Sequence, residues 1–300
     1  MILYKYLTEE RVDVLENSKI RFTQPIYLND EYEALPIFKQ ILTTDGFDTH
    51  LKNKIGQTSD YYTKELIKEA LPFLNNEQIN KILENPNVNA LVSESFNTLV
   101  DQFKNVLTTE IFSANSDASK HFKDSASKKF GILSLSEVFD SQTMWAHYAN
   151  QNKGFIIGFN TSNPFFNQRI AESDEIRFVR PVSYSPERPI WPTLDRETTE
   201  KDFKNSMINS LLTKNIDWSY EREWRMIMPL ERANSIISTD IHLFNYPPES
   251  ITKIIFGLNT NDATKEKLIN IVRRNLDFTK IKISQSTISN NYSIKLVDLP

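Results

Sequence analysis

Between residues 129 and 300 the chain returns repeatedly to short runs of β-branched and aromatic residues, and this pattern constrains its fold more than any other feature. The runs FGILSLS, GFIIGFN, FVRPVSYS, EWRMIMPL, ITKIIFG, TKIKISQ and YSIKLVDL have the length and composition of strands. Their polar alternation suits a half-exposed sheet. Amphipathic stretches near 140–150, 199–214 and 261–275 separate them and predict helices. The first residues repeat the theme: a strand ILYKYL, a short helix around Glu9–Asn17 with Thr8 as its N-cap, and a strand KIRFTQ stopped by Pro25. Residues 37–126 differ. They are rich in Lys, Asn and Glu, with Ile79, Ile82 and Leu83 at helical spacing and breaks at Pro72 and Pro86. The expected fold class is α+β: a mixed, largely antiparallel sheet in one domain over 1–300, with 37–126 as a helical insertion or subdomain.

Composition bounds the function. Nineteen Phe, 11 Tyr and 4 Trp in 300 residues exclude a chain that stays solvated along its whole length. The net charge of −4 disfavours a protein that lives by neutralising phosphates. The absence of Cys removes disulfides, thiolate metal sites and cysteine nucleophiles. The four His lack metal-ligand spacing, so no metal is expected. No apolar run approaches a membrane span, and MILYKYLTEERVDVLENSKIRF reads as a first strand and helix instead of a leader, so a cytoplasmic protein is expected. Four of the six Gly (Gly131, Gly154, Gly158 and Gly257) fall near strand ends and predict turns or close backbone packing.

Two stretches carry candidate chemistry. In FGILSLS, Ser134 and Ser136 share one strand face and Leu133 and Leu135 the other. Two hydroxyls on one face can orient a polar ligand; the plain alternative is a solvent face. On the helix that follows, Trp145 and Tyr148 at i, i+3 would form an aromatic wall beside His147, against the alternative of core packing. The second stretch is Trp218–Pro229. Read as a strand from Tyr220, it turns Glu221, Glu223, Arg225 and Ile227 to one side and Tyr220, Arg222, Trp224 and Met226 to the other. Carboxylates roughly 6–7 Å apart on one face raise at least one pKa, and Arg225 offsets this by pairing. Such a cluster suits a reaction that develops positive charge on a sugar; the alternative is a surface ion-pair strip. Nearer the start, Tyr4-Lys5-Tyr6 alternates on the first strand and Asn29-Asp30 predicts a turn or a cap.

These residues also carry a family resemblance. The ordered set Leu3-Tyr4-Lys5-Tyr6, Asn29-Asp30, Leu135-Ser136, Met144-Trp145, His147-Tyr148-Ala149, Gly154-Phe155, Tyr220-Glu221, Glu223-Trp224-Arg225 and Ile255-Phe256-Gly257 closely resembles the bacterial family called domain of unknown function 2971, across residues 2–297. More distantly, Glu221-Arg222-Glu223 before an apolar strand resembles the Glu-x-Glu strand of ADP-ribosyltransferases. Ser134-Leu135-Ser136 is similar to their Ser-Thr-Ser strand, and the order along the chain agrees. The chain departs from that pattern at Leu135, where Thr stands, and on the first strand, where Lys5 or a flanking Tyr replaces Arg or His.

The second resemblance implies a split sheet and NAD as substrate. It makes Glu223 the catalytic acid that holds a ribose hydroxyl and stabilises the cation, and Glu221 the residue that orients the acceptor. Lys5, Tyr6, Ser134, Ser136, Trp145, His147, Tyr148 and Arg225 become the NAD-contacting set. The expected protein is then an NAD-consuming ADP-ribosyltransferase or glycohydrolase, a toxin or antiphage effector, acting on a macromolecular acceptor or a phage or host protein. Two other classes stand beside it. One is a non-catalytic ligand- or protein-binding module of a defence or stress system. The other is a nucleic-acid-acting protein, for which Lys5, Arg21, Lys153, Arg177 and Arg180 would have to converge.

Overall fold

The computed structural model describes residues 1–38, 115–172, 174–192, 199–275, 278, 281–291 and 293–299. The helical periodicity expected over 37–126 lies almost wholly outside them. The described strands are β1 (Ile2–Leu7), β2 (Lys19–Phe22), β3 (Ile37–Phe38), β4 (Phe130–Ser136), β5 (Phe155–Asn160), β6 (Val179–Pro181), β7 (Ser183–Ser185) and β8 (Ile190–Trp191). They continue with β9 (Thr213–Asn215), β10 (Glu223–Pro229), β11 (Ser235–Ser238), β12 (Ile241–Asn245), β13 (Ile251–Phe256), β14 (Lys282–Ile288) and β15 (Ile294–Asp298). The α-helices are Asp13–Asn17, Asn115–Lys129, Gln142–Tyr148, Glu200–Leu212 and Asp262–Arg274.

By its contacts the chain divides into two compact units, one of residues 1–35, 121–189 and 207–300, the other of 36–120 and 190–206. In the described part of the second, β3 and β8 pair in parallel and Trp191 packs on Phe38 and Phe203. The first unit is built on an eight-stranded sheet in the order β15-β14-β13-β5-β1-β4-β10-β6. It is an α+β fold. Every neighbouring pair is antiparallel except β13 and β14, which the helix Asp262–Arg274 joins as a crossover. That helix starts where Asn261 accepts from Thr264 N at 2.8 Å, and it buries Leu268 and Val272, one turn apart. No helix among the described residues is long and apolar enough to cross a membrane.

Both faces of the sheet are covered, which is why β5, at its centre, reads Phe-Ile-Ile-Gly-Phe with no polar side chain until Asn160. One face packs Leu3, Leu133, Leu135, Phe155, Met226, Ile254 and Phe256 against Leu268, Val272 and the β2–β12 pair. The other face carries two separate apolar clusters. Tyr4, Tyr6, Ile156 and Ile255 lie with Met144 and Trp145 of the helix Gln142–Tyr148. Ile132 and Ile227 lie with Ala126, Ile208 and Leu211. The gap between these clusters holds the polar residues described below.

The structure revises three local expectations. The Glu-x-Glu segment is not one strand: residues 216–221 form a 3-10 helix, Arg222 adopts a left-handed φ of 44°, and β10 starts only at Glu223. The Thr8 hydroxyl accepts no backbone hydrogen, and the turn after it is 3-10. FVRPVSYS divides into β6, on the main sheet, and β7, which pairs in parallel with β9.

Candidate functional site

Register explains how a polar site arises inside a covered sheet. β10 and β4 pair Glu223 with Ser136, Arg225 with Ser134 and Ile227 with Ile132. Alternation then puts all six on one face, with the apolar pair in the core cluster and the polar pairs in the gap beyond it. Arg222, in its left-handed turn, swings the preceding 3-10 helix back over the same spot, so Glu221 rejoins Glu223 by a different route from the one the alternation implies. The Ser136 hydroxyl pins that turn by donating to the Glu221 carbonyl at 2.6 Å.

The acids meet two buried cations. Arg225 donates from Nε to Glu223 Oε1 at 2.7 Å and from Nη2 to Oε2 at 2.8 Å. Its Nη2 also reaches Glu33 Oε1 at 2.9 Å, and its Nη1 donates to the Leu211 carbonyl at 2.8 Å. Lys214 Nζ lies 2.6 Å from Glu221 Oε2, 2.9 Å from Glu33 Oε1 and 3.4 Å from Glu223 Oε2. Its ammonium also sits 4.7 Å from the Trp218 ring centroid. None of the five charged residues is more than 5% exposed, so water screens them little. The Tyr148 hydroxyl donates to Glu221 Oε1 and accepts from Asn29 Nδ2 at 2.8 Å.

Three carboxylates facing two cations leave one negative charge in excess if all are ionised. Burial and pairing decide where the strain falls. Burial acts against the charge on Glu223, but Arg225 and then Lys214 outweigh it and hold the carboxyl down at about 2. Burial raises the Glu221 carboxyl, and Lys214 offsets this only in part, so it remains above its ordinary value. Burial likewise acts against the Lys214 ammonium, but Glu223, Glu33 and Glu221 together hold it above the usual lysine range. Burial and then Glu221 raise the Tyr148 phenol, which stays a donor.

The signs give a prediction. A depressed folded-state pKa contributes stability above the unfolded value, and that contribution disappears as the pH falls from about 4.5 toward 2. Glu221 acts in the opposite sense, so it does not reproduce this loss. The thermal midpoint of the wild type is expected to fall across that window, and Glu223→Gln is expected to flatten the fall. Equal slopes in the two proteins would remove Glu223 from the explanation.

A cavity of about 80 Å³ opens against this cluster. Lys5, Tyr6, Ser134, Ser136, Tyr148, Glu221, Glu223 and Arg225, eight of the ten site residues singled out in the sequence, contribute to its wall. So do Asn29, Lys214 and Met144. The cavity exists because the sheet opens there. β1 and β4 share only the register pair Tyr4–Ser136, whereas β1 follows β5 over its whole length. Lys5 lies on the side of β1 that carries Leu3 and Leu7, and its ammonium bridges the opening to donate to the Ser134 carbonyl at 3.0 Å. Burial lowers that ammonium to about 8; Glu223 opposes the shift while Arg11 and Arg21 add to it.

Two sequence candidates are placed elsewhere. Trp145 is fully buried, donates from Nε1 to the Phe139 carbonyl at 2.7 Å and packs edge-on against Tyr6. It is core, and no ring can stack on it. His147 faces away from the cavity, with Nδ1 3.2 Å from the Tyr220 hydroxyl and its ring among Trp218, Tyr220 and Tyr148. The short helix therefore divides by its own period: Met144 and Tyr148 line the cavity, while Trp145 and Ala149 fill the core. Asn29-Asp30 forms the expected turn, with Asp30 Oδ1 accepting from Tyr32 N at 2.9 Å. Of the basic residues considered for a nucleic-acid groove, Arg177 and Arg180 are tied to Asp174 and Glu175. No group of His, Cys, Asp and Glu suited to a metal occurs among the described residues. Sequence reading missed Lys214 and Glu33, which carry no local periodic signal.

Comparison with known proteins gives one match. Residues 144–226, from Met144 through the Glu-x-Glu segment to Met226, match the family model described as protein of unknown function DUF2971. Over this segment the chain is similar to the DUF2971 family. The matched segment holds Tyr148, Lys214, Glu221, Glu223 and Arg225, whereas Lys5, Ser134 and Ser136 come from outside it. No curated protein and no solved structure matches the chain.

Proposed function

We propose that this protein is an NAD-consuming enzyme that cleaves the nicotinamide–ribose bond and passes ADP-ribose to water or to a macromolecular acceptor. The observation that carries this reading is Glu221: a buried carboxyl on the cavity wall, one oxygen taken by Tyr148 and the other by Lys214, with a raised pKa. In the reaction the C–N bond breaks, and its electron pair neutralises the pyridinium nitrogen as nicotinamide leaves. The ribose carbon becomes cationic until an O–H nucleophile attacks it. A carboxylate beside that carbon stabilises the cation and takes the proton of the nucleophile. A carboxyl whose pKa burial raises is a stronger base for that proton. Glu223 is less suited to the central part, because a cation holds each of its oxygens, whereas one oxygen of Glu221 meets only the neutral phenol of Tyr148; Glu223 fits better as the fixed anion that positions Arg225 and Lys214. Ser134 and Ser136 border the cavity where the leaving ring would lie. The setting that fits an NAD consumer of this kind is a toxin or an antiphage effector.

The test is release of nicotinamide from NAD by the purified protein. Turnover by the wild type is expected, with a loss of about 100-fold or more in Glu221→Gln. A folded wild type that neither binds nor consumes NAD, with or without protein acceptors, overturns the reading. One observation favours a second reading, a non-catalytic ligand-binding module: every acid of the cluster is already paired with a cation. NAD binding without turnover would select it.

A further inference from the structure

A second cavity, of about 290 Å³, also meets Lys5. Tyr6 and Tyr148 line both cavities too, so the two adjoin where β1 and β4 part. Their electrostatics differ sharply. In the first, Glu221 and Glu223 are paired with the cations Lys214 and Arg225 on the same wall. The second is lined by Lys5, Arg11 and Arg21 with Thr8 and Thr23, and no carboxylate among the described residues lines it.

The cations there retain donor capacity. Lys5 spends one of its three donors on the Ser134 carbonyl. Arg21 gives Nη2 to the Asp240 carbonyl at 2.9 Å, and its buried Nε has no hydrogen-bond partner among the described residues. Arg11 holds Asp13, whose side chain is 44% exposed and lies off the cavity wall. Three like charges around one hollow repel one another. Arg11 and Arg21 are felt at Lys5 as part of what lowers it to about 8, after burial. An anion among them would relieve that repulsion and use the open donors.

The geometry points to this second cavity as a diphosphate site, with Lys5, Arg11 and Arg21 as its donors. Naming the ligand as the diphosphate of a nucleotide rests on the proposed function, because a dinucleotide with its ribose at Glu221 would carry its phosphates across the opening past Lys5. The arginines and the hollow were not legible in the acid and serine motifs. They follow from β2 and the Glu9–Val12 turn packing beside β1.

The test is calorimetric titration of the full chain with ADP and, separately, with inorganic pyrophosphate. Neither contains a nicotinamide bond, so the outcome does not depend on catalysis. Both are expected to bind, and Arg21→Gln and Arg11→Gln are each expected to weaken ADP by roughly tenfold or more, as loss of a charge-assisted hydrogen bond implies. In the wild type, affinity is expected to fall between pH 7 and pH 9 as Lys5 loses its proton. The neighbouring Tyr6 and Tyr148 stay neutral there, because burial raises both, and Glu223 stays ionised. Glu221, raised by burial, also acts on Lys5, so Lys5→Gln is the variant that separates them: it is expected to abolish the fall. This wild-type profile holds the proposal to account even if a variant fails to fold. Pyrophosphate binding as tightly as ADP marks a free-anion site; tighter ADP marks a nucleotide site. The proposal is overturned if the folded wild type binds neither anion, or if binding ignores both arginine substitutions and pH. Anion binding with no NAD turnover leaves this site standing and removes the enzymatic reading; NAD turnover with no anion response does the reverse.

Discussion

Replacing Arg225 by Met is expected to lower the unfolding free energy by about 3–5 kcal/mol, the usual cost of removing one partner from a buried ion cluster. Arg225 is 1% exposed and satisfies both oxygens of Glu223, one oxygen of Glu33 and the Leu211 carbonyl. Without it, three carboxylates would share Lys214 alone in a site with little water. Met fills much of the same volume, so the loss reports charge, not a cavity. Arg222→Met is the matched control. Arg222 is 61% exposed and pairs with Glu137 at the surface, so its removal is expected to shift stability by no more than about 0.5 kcal/mol. Urea unfolding of both variants measures the difference. A cost below about 1 kcal/mol for Arg225→Met would show that the cluster rearranges or takes up protons at little cost.

Gly154→Ala is expected to cost roughly 3 kcal/mol or more, and to disturb the cavity although Gly154 does not touch it. A Cβ there would lie 2.0 Å from the Leu7 carbonyl oxygen, far inside the about 3.5 Å at which non-bonded atoms rest. The obstacle is backbone, so no rotamer change relieves it. The chain arrives at Gly154 through Asn150, Gln151 and Asn152, three consecutive residues at positive φ, and continues into the Phe155–Leu7 register pair. Movement at Leu7 would be passed along β1 to Tyr6 and Lys5. The expected result is a lower thermal midpoint together with weaker ligand binding in whatever fraction folds. A variant of wild-type stability would mean that β1 can shift freely against β5.

These two residues differ in how far the sequence reveals their part. A glycine at a strand end announces close packing, and the structure shows what it approaches. Arg225 is legible as a partner for Glu223 because both lie two apart on one strand. Its contact with Glu33 spans 192 positions and has no trace in local spacing. Lys214 is similar: it follows the helix Glu200–Leu212 in the three-residue strand β9, with nothing around it to announce a buried cation. The helix that carries Tyr148 shows the same limit. Its period relates Trp145 to Tyr148, but only docking on the sheet decides which of them enters the core and which meets Glu221.

Local physics, read from the chain, determined most strands of the main sheet, the helix near 261–275, the α+β class and the pairing of Glu223 with Arg225, because side-chain alternation and apolar periodicity are short-range properties. Tertiary structure alone decided that β1 parts from β4, that Lys5 bridges the opening, and that a hollow walled by ion pairs adjoins a basic one. Those features come from strands meeting across more than a hundred residues, where neither spacing nor composition says which side chains will be left without water.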